Sequence, residues 1–307
     1  MKGTVVKSTG SWYLVRGEGG ELYKSRLRGK LKLKEEKLSN PVAVGDRVEF
    51  TVESGEEGTA IISSIEPRHN HIIRKSTHKT AYSHIIASNL DQALLVVTLV
   101  SPRTSFGFID RFLVTAEAYH IPVTLLFNKT DLYDEEARRF QEEVQAMYHQ
   151  IGYDGLGCSA KLQEGIEEIR ALIAGKTSLF SGHSGVGKST LINALVPDLA
   201  LKTAEISAFS DKGVHTTTFA EMFEVSPDTF IIDTPGIKEL GVVDIPPPEI
   251  SHYFPEMRSL LPDCRFHNCL HTNEPGCAVV EAVRNGEVAI SRFESYLSIL
   301  QDEDNRK

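Results

Sequence analysis

The sequence predicts a chain of three differently built segments: a small β-barrel, an α/β unit on a mostly parallel sheet, and a compact, mainly helical C-terminal piece. Three observations carry this. Val48, Phe50 and Val52 alternate with Arg47, Glu49, Thr51 and Glu53, the period-2 pattern of a half-buried strand. From about Ser88, near-continuous apolar runs alternate with helical patterns, as in a parallel sheet covered on both faces. After Pro246-Pro247-Pro248, three cysteines and a histidine fall within 14 residues.

Within the first segment, strand candidates at Gly3–Lys7, Ser11–Arg16, Glu21–Arg26 and Gly58–Ile65 join the one at Val48. Gly45-Asp46 and Gly55 to Gly58 supply the turns around that strand. About five strands suit a closed barrel such as an OB-fold, although a different small barrel fits the pattern as well. Pro67 then opens a polar, basic connector. In the second segment, strands are expected at Ala93–Val100, Pro122–Phe127, a short stretch ending near Ser159, Thr177–Ser181, Thr218–Val225 and Thr229–Asp233. Helices are expected at Asp110–His120, Glu135–Gln150, Glu164–Ala174 and from Lys188 onward. The boundaries that follow are 1–67, 68–242 and 243–307.

A chain of 307 residues with 24% charged and 41% hydrophobic residues is an ordinary globular composition, long enough for three such units. The N-terminus lacks the apolar core and cleavage site of a signal peptide, and no apolar run reaches membrane-spanning length. A cytoplasmic protein with no membrane attachment is expected, and a monomer. The formal net charge of −9 argues against a general nucleic-acid binder. Charge is uneven, however: Lys24 to Lys37 holds seven basic residues against two acidic ones, and Arg68 to Lys79 holds four basic residues and three histidines.

Gly182-His183-Ser184-Gly185-Val186-Gly187-Lys188-Ser189, followed by Thr190, fits G-x4-G-K-S between a strand and a helix. Glycines let the backbone wrap phosphates closely, and successive N–H groups with the helix N-terminus supply positive potential. Lys188 is expected on the β- and γ-phosphates and Ser189 on magnesium. Asn128-Lys129-Thr130-Asp131, after an apolar strand, selects the base. A carboxylate at Asp131 accepts from the ring N–H and exocyclic amine of guanine. Adenine presents an acceptor in place of that N–H and leaves the carboxylate unsatisfied. Asn128 is expected to fix neighbouring loops and the Lys129 stem to lie along the base. Ser159-Ala160-Lys161 places a backbone N–H against the guanine oxygen.

Asp233-Thr234-Pro235-Gly236 ends the last apolar strand, with Asp233 suited to hold magnesium through water and the Gly236 N–H to sense the γ-phosphate. In Gly213-Val214-His215-Thr216-Thr217-Thr218, Thr217 is the favoured magnesium ligand and Thr216 the alternative. Many GTPases place a water-orienting glutamine after the DxxG motif. Ile237 stands there in this chain, so slow intrinsic hydrolysis and dependence on a partner are expected. His215 is a tentative catalytic replacement; the alternative is a loop histidine without a catalytic role.

The order of these motifs is circularly permuted: the guanine-reading pair, at 128 and 159, precedes the phosphate loop at 182. The γ-phosphate loop then leads directly into the C-terminal segment, which predicts that nucleotide state moves that segment. One fixed orientation in GTP-analogue and GDP forms would refute this. Finally, Cys264-x4-Cys269-x-His271-x5-Cys277 supplies three thiolates and one imidazole, the complement of a closed structural zinc site. Cys158 reads as a small buried residue and His267 as a spare near the ligands.

Together the barrel, NKTD, CSAK, GHSGVGKST, HTTT, DTPG and the Cys-Cys-His-Cys cluster resemble the ribosome small-subunit-dependent GTPase A family (RsgA, also called YjeQ or YloQ). The resemblance spans essentially the whole chain. It implies an OB-fold, a circularly permuted P-loop GTPase domain and a zinc-binding domain, using GTP/GDP, Mg2+ and one Zn2+. It also implies GTP hydrolysis stimulated by the small ribosomal subunit during its late maturation, with the flanking domains on rRNA. One departure is visible: the family usually has arginine where this chain has Val214. Trp12, Tyr13 and Tyr23 with the Lys24–Lys37 run could form an RNA-stacking face, or the aromatics could belong to the barrel core. Three other readings compete. One is a module whose GTP occupancy gates docking. Another is a GTPase for a different partner, in membrane traffic or metal delivery. The third is an ATP-dependent kinase, which would leave NKTD and SAK unexplained.

Overall fold

The computed structural model describes residues 1–29, 41–53, 58–75, 83–196, 220–234 and 245–301. Strands β1 (Lys2–Ser8), β2 (Tyr13–Gly17), β3 (Leu22–Leu27), β4 (Arg47–Val52) and β5 (Thr59–Ile65) pair in the order β1-β2-β3-β5-β4, and β4 returns to β1. Only β3 and β5 run parallel. This closed order is that of an OB-fold. Inward positions such as Val5, Val15, Val48, Phe50 and Ile62 form its core, which is why the sequence alternates. Tyr13 is buried in that core and does not belong to a stacking face, whereas Tyr23 is half-buried and packs on Phe50. Trp12 is displayed, with the Lys24 ammonium 4.6 Å from its ring centre. Residues 30–37 of the basic run lie outside the described residues.

The connector expected after Pro67 contains a hairpin, β6 (His71–Lys75) against β7 (Ser83–Ser88). Its few apolar residues gain their burial from distant partners: Ile73 and Ile85 pack on Ala43 beside the barrel. Two members of the basic Arg68–Lys79 stretch also turn inward. Arg68 donates twice to the buried Asp46 carboxylate, at 2.7 and 2.8 Å, and His71 lies against Tyr119. Asp46 also accepts from Ser88 Oγ at 2.6 Å, fastening the hairpin to the barrel. Gly45 makes the junction possible, with φ of +94° and no room for a Cβ, which would stand 2.1 Å from the Ser88 carbonyl oxygen.

The central sheet contains β8 (Gln92–Val97), β9 (Val123–Phe127), β10 (Gly155–Gly157), β11 (Thr177–Gly182), β12 (Glu221–Ser226) and β13 (Thr229–Asp233), in the order β10-β9-β8-β11-β13-β12. All pairs are parallel except β12 with β13. Helices α1 (Phe106–Ala118) and α2 (Glu135–Gln150) cover one face, and α3 (Ile166–Ile173) and α4 (Lys188–Leu195) the other. In β8, Ala93, Leu95 and Val97 enter one core while Leu94 and Val96 enter the opposite one. Burial on both faces explains the unbroken apolar run. Helix α1 starts four residues earlier than the sequence suggests, because the Ser105 side chain accepts from the Phe108 N–H and caps it. Edge strand β12 meets β1 at Lys7 and Glu221, which form an ion pair of 2.8 Å.

The C-terminal unit holds a 3-10 turn (Pro247–Tyr253), α5 (Pro255–Arg258), α6 (Ala278–Arg284) and α7 (Ile290–Leu300). Its core gathers Phe254, Met257, Val279 and Tyr296 around the three cysteines and takes in Val114 of α1. Among the described residues, no helix is long and apolar enough to cross a membrane.

Candidate nucleotide site and metal centre

Strand β11 runs through Gly182 into a loop that ends at Gly187, the residue before α4. Gly187 has φ of +89°, and a Cβ there would stand 2.5 Å from Asn128 Nδ2. Glycine is therefore required twice over, by conformation and by space. Val186 is buried, Ser184 and Gly185 are exposed, and Ser189 and Thr190 are exposed on the first turn of α4. The His183 ring turns away to lie on Phe108 of α1, with ring centres 3.8 Å apart.

Asn128, at the end of β9, is buried and joins three loops. Its Nδ2 donates to the Val186 carbonyl at 2.8 Å, and its Oδ1 accepts from the Ala160 N–H at 3.2 Å. Lys129 adopts a left-handed conformation, φ 65°, and its Nζ donates to the Ser101 carbonyl at 2.7 Å. Asp131, in a 3-10 turn, accepts from Ser159 Oγ at 2.7 Å, and Lys161 Nζ lies 3.9 Å away. One Asp131 oxygen is thus oriented by protein, and the carboxylate edge is aimed by a turn whose registry Thr130 fixes on the Cys158 carbonyl. Burial pushes the Cys158 thiol up to about 12, so it is a neutral packing residue.

Lys188, the first residue of α4, meets Asp233 at the end of β13, Nζ to Oδ1 at 3.7 Å. Asp233 Oδ1 is buried and has no hydrogen-bond partner among the described residues. Burial raises the Asp233 carboxyl and the Lys188 ammonium opposes it. A carboxylate whose buried oxygen is approached by the Lys188 ammonium without a hydrogen bond, beside a phosphate loop, fits a site for a hydrated divalent cation. Thr234 Oγ1 donates to the Phe180 carbonyl at 3.1 Å and fixes the strand end. His215, Thr216, Thr217, Gly236 and Ile237 lie outside the described residues.

Sequence reasoning missed Tyr133. Its hydroxyl donates to the Asn128 carbonyl at 3.2 Å and accepts from the Leu99 N–H at 3.0 Å, bracing the ends of β8 and β9. Only the tertiary fold reveals the partners, because a tyrosine after a turn carries no signal of its own.

In the C-terminal unit the ligand atoms of Cys264, Cys269, His271 and Cys277 all lie within 4.8 Å of one another. His271 Nδ1 is 3.6 Å from Cys264 Sγ and 3.3 Å from Cys277 Sγ. A tetrahedron with zinc–sulfur and zinc–nitrogen bonds has edges of about 3.5–3.8 Å, so the set fits zinc. His267 is exposed and outside the cluster. Glu274 was also missed: its carboxylate accepts from the N–H groups of Leu270, Thr272 and Asn273 at 2.8, 2.9 and 3.1 Å. Burial alone would raise its pKa, but the backbone donors prevail and bring it down to about 2.

A family model described as RsgA GTPase matches residues 65–243, and one described as RsgA N-terminal domain matches residues 2–60. The chain belongs to the RsgA GTPase family. A Bacteroides fragilis (strain YCH46) protein, "Small ribosomal subunit biogenesis GTPase RsgA", is 53% identical over 100% of this chain and 98% of its own length. A Cytophaga hutchinsonii protein of the same name is 52% identical over the full length of both. Among solved structures, YjeQ from Thermotoga maritima matches with a TM-score of 0.77 and 36% identity, covering 100% of this chain and 99% of that one. YloQ, described as a circularly permuted GTPase, matches with a TM-score of 0.74 and 30% identity, covering 100% and 96%. The RsgA family resemblance read from the motifs is borne out, as are the barrel, the permuted GTPase domain and the cysteine-histidine cluster of the C-terminal unit.

Proposed function

We propose that this chain is a GTP hydrolase acting in small ribosomal subunit biogenesis, slow alone and accelerated on that subunit. The observation that carries the nucleotide reading is Asn128, whose amide ties the phosphate loop to the SAK loop at the carboxyl ends of one sheet. Asp131, oriented by Ser159, accepts from the guanine edge, and a backbone N–H of the Ser159-Ala160-Lys161 loop is proposed to face the guanine oxygen. The Lys129 stem lies along the base. Gly182 to Gly187 supply backbone N–H groups to the phosphates, and Lys188 adds a fixed positive charge. Ser189, Thr217 and Asp233 would hold Mg2+, which neutralises charge on the β- and γ-phosphate oxygens when bound. The Gly236 N–H and His215 are proposed for γ-phosphate sensing and water orientation.

Cys264, Cys269, His271 and Cys277 would hold one structural Zn2+, since four protein ligands leave no open position for chemistry. The partner is proposed from the names of the relatives, together with the displayed Trp12–Lys24 pair on the OB-fold, a basic aromatic edge suited to RNA. We propose domains of 1–67, 68–242 and 243–307, a monomer, and a cytoplasmic location without membrane attachment. Steady-state hydrolysis of GTP and ATP, alone and with purified small or large subunits, tests the reading. GTP-selective turnover raised only by small subunits is expected. Equal turnover of ATP would refute the base assignment, and no stimulation by small subunits would refute the partner.

A further inference from the structure

Helix α1 is unusual in being buried on every side: Gly107 to Ala116 are all inaccessible, including Asp110 and Arg111. One face packs on the sheet and touches the phosphate loop through Phe108 and His183. Asp110 follows Phe108 by two residues, about 200° around the helix, and faces the C-terminal unit. There Arg292 of α7 donates from Nη1 to Asp110 Oδ1 at 2.7 Å, and from Nε and Nη2 to Glu256 at 2.6 and 3.2 Å. Its guanidinium lies 4.5 Å from the Phe254 ring centre. Tyr148 of α2 donates to the same Asp110 oxygen at 2.8 Å.

We infer that Arg292 is a positioning residue for the nucleotide site, acting through Asp110, the α1 helix and the Phe108–His183 ring contact at the phosphate loop. A rigid helix buried between two units transmits displacement, because a close-packed interior has no slack to absorb it. The Arg292 fork fixes the depth and rotation of α1, and Phe108 on the opposite face then fixes the side chain that leads the phosphate loop. The C-terminal unit thus completes the nucleotide site although none of its described residues enters that site. Nothing in the established GTPase motifs includes α1 or α7.

The inference rests on the phosphate-loop reading given above, and a double-mutant cycle separates the two. GDP dissociation constants are measured for full-length, zinc-loaded Arg292→Met, Arg292→Lys, Phe108→Leu and the Arg292→Met/Phe108→Leu pair. Zinc content and nucleotide-free thermal unfolding establish which variants are folded. Arg292→Met is expected to weaken GDP binding about tenfold, a common size for coupling between sites. Arg292→Lys, which keeps the charge on Asp110, weakens it less. Phe108→Leu, which keeps an apolar side chain but loses the ring contact, also weakens it, and the pair falls within about twofold of the weaker single variant. Unchanged GDP affinity in folded Arg292→Met and Arg292→Lys, or effects that simply multiply in the pair, would overturn the inference. If Arg292→Met does not fold, the same cycle built on Arg292→Lys decides. Absence of GDP binding by the unaltered chain would overturn the nucleotide-site reading instead.

Discussion

Asn128 Nδ2 donates to the Val186 carbonyl across 58 residues of sequence, at 2.8 Å, so the base-reading turn and the phosphate loop are one rigid assembly. Gly187 is what lets them approach. Gly187→Ala puts a Cβ 2.5 Å from that Nδ2 and forces a positive φ of 89° on a residue that resists it. Loss of nucleotide binding and a destabilisation of about 1–3 kcal/mol are expected, checked by GDP titration and urea unfolding. Wild-type affinity in this variant would refute the assembly.

On the proposed function, Asp131 selects the base. Asp131→Asn replaces an acceptor-only edge by one with a donor, leaving the guanine N–H groups poorly matched and suiting a base with a carbonyl in place of the amine. GTP affinity is expected to fall roughly 10- to 100-fold, from about 1–3 kcal/mol for an unmade buried hydrogen bond. Xanthosine triphosphate should gain relative to GTP, and competition against a labelled nucleotide reads the ratio.

At Asp233 the proposed magnesium-holding role would oppose stability. Burial raises its carboxyl and Lys188 only partly offsets this, so the ionised form is disfavoured in the folded, nucleotide-free chain. A carboxyl raised in the folded state binds protons there that the unfolded chain has released. Its contribution therefore turns unfavourable as pH rises through the unfolded carboxylate value, and remains so above the folded one. Asp233→Asn is expected to raise the nucleotide-free melting temperature at pH 7 while GTP turnover falls about 10²–10³-fold. It should also flatten the dependence of nucleotide binding on Mg2+ concentration. A lower melting temperature at pH 7 would contradict the account.

Read as a zinc site, the cysteine-histidine cluster predicts one metal per chain by elemental analysis. Burial pushes the Cys269 thiol up to about 12 without metal, so loading must expel protons and weaken sharply toward acid pH. Cys277→Ser removes a ligand and also the Sγ that accepts from the Val280 N–H at the start of α6. Zinc loss with unfolding of the C-terminal unit is expected, read by circular dichroism. Full zinc occupancy in Cys277→Ser would show that the cluster is not the site.

Glu274 shapes the same loop from outside the ligand set. Glu274→Ala strips acceptors from three backbone N–H groups and should speed zinc loss to a chelator several-fold, each such bond to a charged group contributing about 1.5–3 kcal/mol before solvent screening of this partly exposed carboxylate. A chelation rate equal to wild type would leave Glu274 without that role.

Much of this protein was legible along the chain because its signals are local. The barrel's alternation, the apolar runs of the central sheet, the phosphate loop, NKTD and the cysteine spacing each require only neighbouring residues in a fixed pattern, and their permuted order is itself a property of sequence. Tertiary structure alone decided what depended on distant partners. The β6–β7 hairpin looked like a polar connector because its burial comes from the barrel and α1. Arg68 is one of a run of basic residues in the sequence, and only the fold sets the Asp46 carboxylate against it. Asp110 and Arg111 resemble a solvent face in the sequence, and become core because the C-terminal unit covers α1. Arg292 meets Asp110 across 182 residues, and no periodicity reaches that far. A buried ion pair is specified by packing geometry, which a single sequence does not display.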